Sequence, residues 1–480
     1  MNESRLAAEL RLLAPAACGM CADSRSMQAG DVFLAFPGAA HDGRAHIEAA
    51  VRASAAAVVW EPEGFAWRPD WQLPNLPVEG LRTRAARLAA AWHGQPSEGL
   101  WMTGITGTNG KTSVSHWLAQ AFTQLGRKTA AVGTLGNGFP GAILPGTHTT
   151  PDAVSLQGLL AGYRDEGAQG VAMEVSSHGL DQGRVEGVDF DVAVLTNLSR
   201  DHLDYHGSME DYAAAKARLF RWPGLKAAVL NVDDAFGTAL LDQLQGPRVI
   251  RYGLHAGDLR ARCQADRLGL RLEIVSPWGA GLLTSPLLGE FNAYNLLAAL
   301  GALIAADIPM ADAIQALEQV RAVAGRMQRV EGFDQGPSVI VDFAHTPDAL
   351  DKVLGALKPL TTGRLVCVFG CGGGRDTGKR PLMGAAVAAH ADSAIVTSDN
   401  PRNEDPAHIV EGILAGMPAG QRVLLDRHEA IRTAIGQAGA EDIVVLAGKG
   451  HEDYQEIAGV KRPFSDLGEA QAALAAWRPA

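Results

Sequence analysis

The feature that most constrains the fold is an alternation of short apolar runs with amphipathic segments, played twice along the chain. LWMTGITG, AAVGTL, GVAMEV, VAVLTNL and AAVLNV read as strands, and segments such as TSVSHWLAQAFTQLG and SMEDYAAAKARLF read as helices. Strand and helix alternating over this length specify βαβ units on a parallel sheet. After about Gly325 the rhythm restarts with VIVDFAH, LVCVFGCGG, SAIVTSDN, RVLLD and DIVVLAGKG, which predicts a second doubly wound sheet. The Ala-rich stretch before it all, with DSRSMQAGDVFLAFPGAAHDGRAHI, suggests a small α/β module. The expected organisation is residues 1–96, 97–325 and 326–480, in line with 480 residues at roughly 150 per domain.

Composition removes several classes. The chain is 47% hydrophobic and 20% charged, enough for each domain to bury a core. No apolar run reaches the ~18 residues of a membrane span. The opening MNESRLAAELRLLAP mixes charges into its apolar residues and lacks a signal-peptide core, so a cytoplasmic protein is expected. A net charge of -11, from 42 basic against 53 acidic residues, argues against a nucleic-acid or membrane-surface binder but allows a local anion site. Five cysteines do not make a disulfide framework, and the Cys18/Cys21 pair has no second CxxC at zinc spacing. The tryptophans from Trp60 to Trp71 are expected to pack the first module.

In open parallel sheets ligands bind beyond the carboxyl ends of the strands, so the polar residues after each apolar run are the place to look. LWMTGITGTNGKTSV is a strand, a glycine-rich turn and a helix start. Its amides from Gly107 to Gly110 can wrap an anion, Lys111 can reach terminal phosphates, and Thr112 offers a hydroxyl to magnesium. The commoner GxxxxGK spacing is not met, because Ile105 stands where its first glycine belongs. GCGGGRD does not make a dinucleotide turn, since Arg375 falls on the third glycine of GxGxxG counted from Gly370.

Two further strand ends carry polar residues that suit a phosphate-bound ion: Glu174 in MEVSSHGL, and Asp201 and His202 in TNLSRDHLDYH. Lys216 is unusual, because its helical neighbours are Tyr212, Ala213, Leu219 and Phe220. Such a lysine either snorkels to solvent or, if buried, is held neutral and nucleophilic. A neutral lysine can react with carbon dioxide to give a carbamate.

Together GTNGKT, EVSSHGL, TNLSRDHLDYHG, YAAAKARLF, GEFNAYNLLAA, GRMQ, DFAHTPDAL, GCGGGRDTGKRPLMG, SDNPR and GKGHEDYQ resemble the Mur ligases, the ATP-dependent amino-acid ligases of peptidoglycan synthesis, in family order over nearly the whole chain. The resemblance implies an α/β protein of three domains: a small N-terminal uridine-binding domain, a central P-loop parallel-sheet ATPase domain and a C-terminal Rossmann-like doubly wound domain. It implies that Gly107, Thr108, Asn109, Gly110, Lys111, Thr112 and Ser113 hold the phosphates of ATP, with Asn292, Arg326 and Asp342 on its base, ribose and phosphates. Thr112, Glu174, His202 and a carbamylated Lys216 become magnesium ligands. Ser24, Ala39, Ala40 and His41 resemble the uridine pocket, and His148, Thr149, Thr150, Ser176, Gln182 and Arg184 the residues on the muramyl peptide.

The third domain points to the amino acid. Diaminopimelate-adding family members carry DNPR, and Asp399, Asn400, Pro401 and Arg402 stand in full here. Meso-diaminopimelate differs from lysine by one carboxylate, which an arginine fork grips bidentately. Arg375, Gly448 and Glu452 match the rest of that pocket, Glu452 suiting a distal ammonium. The implied reaction joins meso-diaminopimelate to UDP-N-acetylmuramoyl-L-alanyl-D-glutamate at the expense of ATP, on a monomer. Three other readings share parts of the pattern: a lysine-adding muramyl ligase, a folylpolyglutamate-synthetase-like ligase, and a non-catalytic nucleotide switch.

Overall fold

Strands whose residues are buried on both faces need helices above and below them, and three such sheets form here. The structure is a computed structural model that describes residues 2–38, 41–332 and 336–478. The first sheet is parallel, with strands Gly19–Cys21, Asp31–Ala35, Ala57–Trp60 and Asn75–Pro77 in chain order. Helices Glu3–Leu13 and Leu81–Trp92 cover one face through Leu6, Leu10, Leu81, Leu88 and Trp92. On the other face Phe33, Ile47, Val58 and Trp60 pack, extended by Phe65, Trp67 and Trp71. Trp60 stacks on Trp67 with ring centroids 5.7 Å apart, so the tryptophan cluster does pack this module.

The central sheet runs Arg248–Gly253, Ala227–Asn231, Val192–Leu195, Trp101–Thr106, Gly170–Glu174 and Thr129–Gly133, all parallel. Two short antiparallel strands, Gly136–Phe139 and Ala142–Leu144, close one edge. Helix starts are capped as the sequence allows. Asp152 accepts from Val154 and Ser155 N–H, and Ser208 accepts from Asp211 N–H at the start of the helix Met209–Phe220.

The chain divides into two compact units. One comprises residues 1–261, 275–280 and 295–317, and the other 262–274, 281–294 and 318–480. The second unit holds the third sheet: Gln328–Arg329, Ser338–Asp342, Ile443–Ala447, Leu365–Phe369, Ser393–Val396 and Arg422–Val423, parallel except for its first pair. Its last strand in sequence inserts between Ser338–Asp342 and Leu365–Phe369. That reversal of strand order makes a crevice beyond the strands' carboxyl ends. One core cluster around Leu354, Met383 and Ile413 covers one face, and another around Ile431, Ile435 and Leu474 covers the other. Among the described residues no helix is long and apolar enough to cross a membrane.

Candidate active site

Parallel strands all end on one side, and in the central sheet their register sets the polar residues side by side. Ile105 pairs with Glu174, and Thr106 with Leu195. The loop after Thr106 turns through Gly107 at φ +147° and Gly110 at φ +87°. A Cβ on Gly107 would lie 3.0 Å from the Asn197 carbonyl and closer still to Thr196 Oγ1; one on Gly110 would press on the Asn295 amide. Only glycine serves at these two points.

The segment beyond Leu195 pins the loop. Asn197 Oδ1 accepts from Asn109 N–H at 3.0 Å, and Thr196 Oγ1 donates to the Asn109 carbonyl at 2.6 Å. Thr108 N–H donates to the Asn197 carbonyl at 2.9 Å. The helix Lys111–Gln124 then starts with Thr112 and Ser113 buried in its first turn. Loop amides and a helix N-terminus together make an anion cradle. Lys111 Nζ donates to the carbonyls of Gly107 and Thr108 at 2.8 and 2.9 Å.

Lys216 does not snorkel. It is 1% exposed, and its amine donates to the same Gly107 carbonyl at 2.9 Å while lying 4.5 Å from the Tyr212 ring centre. Burial, then the charge of Lys111, hold its pKa well below the usual lysine value. Tyr212 in turn meets Thr108 through its hydroxyl at 3.2 Å, so the helix Met209–Phe220 and the phosphate loop share one hydrogen-bonded seam.

Glu174 is 1% exposed, and its carboxylate accepts from Thr134 N–H at 2.8 Å and from Thr134 Oγ1 at 3.1 Å. The same strand end organises most of the residues assigned to the muramyl peptide. Thr149 Oγ1 lies 3.0 Å from Thr134 Oγ1; Thr150 Oγ1 donates to the Glu174 carbonyl and meets Ser176 Oγ at 3.0 Å. Arg184 donates to the Thr150 carbonyl and to Gln182 Oε1. His148 stands on the exposed turn before them and bonds Thr147.

His202 adopts φ +53° and packs edge-on to His178, centroids 4.9 Å apart, with Tyr212 at 6.1 Å. Its backbone N–H donates to Asp201 Oδ1 at 2.8 Å. Burial, then the neighbouring His202 and His206, lower the His178 pKa. Among the described residues no three His, Cys, Asp or Glu side chains assemble into a ready metal cluster.

Ser24 is half-buried in the turn after Gly19–Cys21, and His41 is exposed, its carbonyl accepting from Gly38 N–H at 2.8 Å. Ala39 and Ala40 lie outside the described residues. All five cysteines are free; Cys18 is exposed and Cys21 buried, its thiol donating to the Asp23 carbonyl.

In the second unit Asn292 is buried and donates to the Leu288 carbonyl at 2.8 Å. Asp342 accepts from Met327 and Ala344 N–H at 2.7 and 2.8 Å; burial pushes its pKa up while Arg326 opposes the shift. The Arg326 guanidinium lies 5.0 Å from the Phe343 ring centre.

Beyond the third sheet, Arg402 takes φ +53° and donates to the Gly373 carbonyl at 2.6 Å, with Nε 3.7 Å from Glu456 Oε2. Gly373 N–H donates back to the Asn400 carbonyl, closing the glycine-rich turn onto DNPR; Arg375 projects from that turn, exposed. A Cβ on Gly448 would reach the Asp399 carboxylate, and burial raises the Asp399 pKa. Glu452 is not isolated: its Oε2 accepts from Asn400 Nδ2 at 2.8 Å and from Lys449 Nζ at 3.0 Å. Thr134, Gly133, Asn197, Tyr212 and Lys449 were not singled out in the sequence. Lys449 left a signal there as a lysine inside GKGHE three residues from Glu452, Tyr212 as the helical neighbour of Lys216, and Asn197 as part of TNLSRDHLDYHG.

Comparison with known proteins shows what the chain as a whole resembles. The Mur ligase family catalytic domain matches residues 18–93, the Mur ligase middle domain 105–303, and the Mur ligase glutamate ligase domain 325–450. The UDP-N-acetylmuramoyl-L-alanyl-D-glutamate--2,6-diaminopimelate ligase of Chromobacterium violaceum is 55% identical, covering 95% of this chain and 94% of its own. The enzyme of the same name from Pseudomonas aeruginosa is 53% identical over 95% of this chain and 94% of its own. A solved structure of a ligase with that name superposes with a TM-score of 0.70 at 40% identity, over 96% of this chain and 95% of the other.

Proposed function

The chain belongs to the Mur ligase family, and from that premise we infer that it uses ATP to join meso-2,6-diaminopimelate to the D-glutamate γ-carboxylate of UDP-N-acetylmuramoyl-L-alanyl-D-glutamate. The observation that carries the choice of amino acid is the cradle beyond the third sheet, where Asn400 bonds Glu452 and Arg402, two residues on, is held by the Gly373 carbonyl. A guanidinium and a carboxylate there complement a distal carboxylate and a distal ammonium. Lysine would bring no distal carboxylate to the arginine, and sites built around a polar group reject analogues lacking it by ~10^4 or more.

Amide formation from a carboxylate needs a better leaving group than oxide. The γ-phosphoryl group of ATP passes to the D-glutamate carboxylate, giving an acyl phosphate and ADP. The amine of diaminopimelate attacks its carbonyl, and the tetrahedral intermediate expels phosphate. The chain's task is to hold two anions together. The amides from Gly107 to Gly110 and the helix N-terminus at Lys111 cradle the phosphates, and Lys111 supplies a positive charge against them. Thr149, Thr150, Ser176, Gln182 and Arg184, and His148 beside them, hold the muramyl peptide. Ser24 and the turn at His41 take its uridine end, while Asn292, Arg326 and Asp342 take the nucleoside of ATP.

Magnesium fits this donor set. Thr112 and Glu174 are hard oxygen ligands, too few to cage an ion alone, as suits one shared with phosphates and water; His202 and Lys216 complete the proposed set. The ion would neutralise charge on the transferring phosphoryl group. An uncharged Lys216 adds to carbon dioxide, forming an N–C bond and releasing a proton, and the resulting carbamate is a carboxylate on a long arm. Its burial and lowered pKa support that role. ATP and nucleotide-linked sugars are made inside the cell, so the reading puts the reaction in the cytoplasm.

Phosphate release from ATP with the muramyl dipeptide acceptor tests the reading, comparing meso-diaminopimelate with L-lysine. Turnover with the first and almost none with the second is expected. Equal use of lysine would remove the arginine argument, and turnover indifferent to both acceptor and amino acid would sink the ligase.

A further inference from the structure

The amino-acid cradle contains a charge to which the reading above gives no role. Lys449 follows the strand Ile443–Ala447 and is 0% exposed. A buried ammonium is costly unless acceptors meet it. Here Nζ donates to Asn400 Oδ1 at 3.1 Å and to Glu452 Oε2 at 3.0 Å.

Those two bonds set the orientation of both partners. Lys449 has only donors, so the Asn400 oxygen must face it; Glu456 N–H donates to that same oxygen at 2.9 Å. The Asn400 amide nitrogen is thereby turned to Glu452 Oε2, at 2.8 Å. Two donors converge on Oε2 of a carboxylate that stays 22% exposed, and among the described residues no hydrogen bond to its second oxygen competes with a ligand.

Charge sharpens the point. Asp399 is buried in the same cluster, attracted by Arg427 and Lys449 and repelled by Glu452 and Asp466. Arg427 is already committed to Asp466, 2.6 Å away and equally buried. Arg427 and Lys449 both offset the charge of Asp399, and Lys449 is the one that also bonds Glu452.

We propose that Lys449 is a positioning residue for the amino-acid site, holding Glu452 so that its second carboxylate oxygen receives the distal ammonium of the incoming diamino acid. The proposal rests on the ligase reading above. Deleting a cation also makes the cluster more negative, which by itself draws an ammonium in. Geometry outweighs it, because repulsion from Asp399 then drives the part-exposed Glu452 toward water, and the held acceptor is lost.

The test compares Lys449→Met with the unaltered enzyme by phosphate release, using meso-diaminopimelate and L-2-aminopimelate, which lacks only the distal amine. The latter is measured as substrate or as competitive inhibitor. In Lys449→Met the KM for meso-diaminopimelate rises about tenfold or more, the loss expected of a charged hydrogen bond. Constants for L-2-aminopimelate, ATP and the acceptor stay within about threefold. In a Glu452→Gln background the same change alters the KM for meso-diaminopimelate by less than about twofold, because the two residues act as one. A KM for meso-diaminopimelate that is unchanged or lowered overturns the proposal. So does an equal rise for both amino acids, or effects that multiply in the double variant. Lys449→Gln replaces Lys449→Met if the latter lacks a cooperative melt; failure of both means the lysine serves the fold, which also overturns it. Unaltered enzyme that ignores the amino acid would instead sink the ligase reading before any variant is compared.

Discussion

Replacing Gly133 by alanine tests how tightly the central site is built. Gly133 ends the strand Thr129–Gly133, and a Cβ there would lie 2.7 Å from Glu174 Cδ and 2.8 Å from Cγ, nearer still to Oε1. Ordinary contact begins near 3.4 Å, so the side chain must move by ~0.6–1.2 Å. It has little room to do so, being 1% exposed and bonded to Thr134 through both oxygens. A misplacement of about 1 Å in a catalytic group costs on the order of 10^2 in rate, or ~2.7 kcal/mol of transition-state stabilisation. Gly133→Ala should therefore lower kcat for phosphate release about a hundredfold. Thr134→Val, which removes one hydroxyl donor and keeps the backbone N–H, should cost about tenfold. Gly162→Ala is the control: it lies in the helix Ala153–Asp165 with nothing near its Cβ, and should keep full activity and gain up to ~1 kcal/mol of stability. A kcat for Gly133→Ala within threefold of the unaltered enzyme would refute the claim that Glu174 must stay where Thr134 holds it.

Lys216→Ala should lose activity that formate or acetate partly restores; a folded variant that no small carboxylate rescues counts against the carbamate. In buffer free of carbon dioxide, Lys216→Met should also be the more stable protein at pH 7. The native amine has a folded pKa well below 10.5 and takes up a proton on unfolding, so native stability falls as pH drops below 10.5 toward that lower value. The melting gap between variant and parent should shrink toward pH 10, and a constant gap would contradict it. Arg427→Met strands the wholly buried Asp466 and should cost about 3–5 kcal/mol in urea unfolding; a loss under 1 kcal/mol would show the pair to be incidental. Arg402→Lys should reduce kcat/KM for meso-diaminopimelate about a hundredfold without changing the KM for ATP, and an equal loss with every substrate would point to misfolding.

Much of this was legible in one dimension. Runs of apolar residues at strand length, broken by glycine and polar turns, determine a parallel α/β architecture, because only helices on both faces can bury such strands. GTNGKT between strand and helix determines an anion cradle, since glycine torsions and the amides of a helix start are local properties. DNPR and GKGHE carry the proposed amino-acid site by residue type.

What residue type does not carry is how neighbours share charge and space. Whether Lys216 snorkels or is buried is undetermined by its helix face, and the Gly107 carbonyl beneath it, 109 positions away, settles that. Glu174 reads as a ligand in sequence, yet Gly133 at the end of an adjoining strand and Thr134 in the turn after it decide where its oxygens sit. Lys449, Asn400 and Glu452 are ordinary polar residues until the reversal of strand order brings two loops together and makes one hydrogen-bonded group of them. Sequence by itself determines properties that depend on consecutive residues, their torsions and their periodicity. Burial, and with it the cost of a charge and the orientation of a carboxylate, depends on segments distant in the chain, so only the tertiary structure decided it.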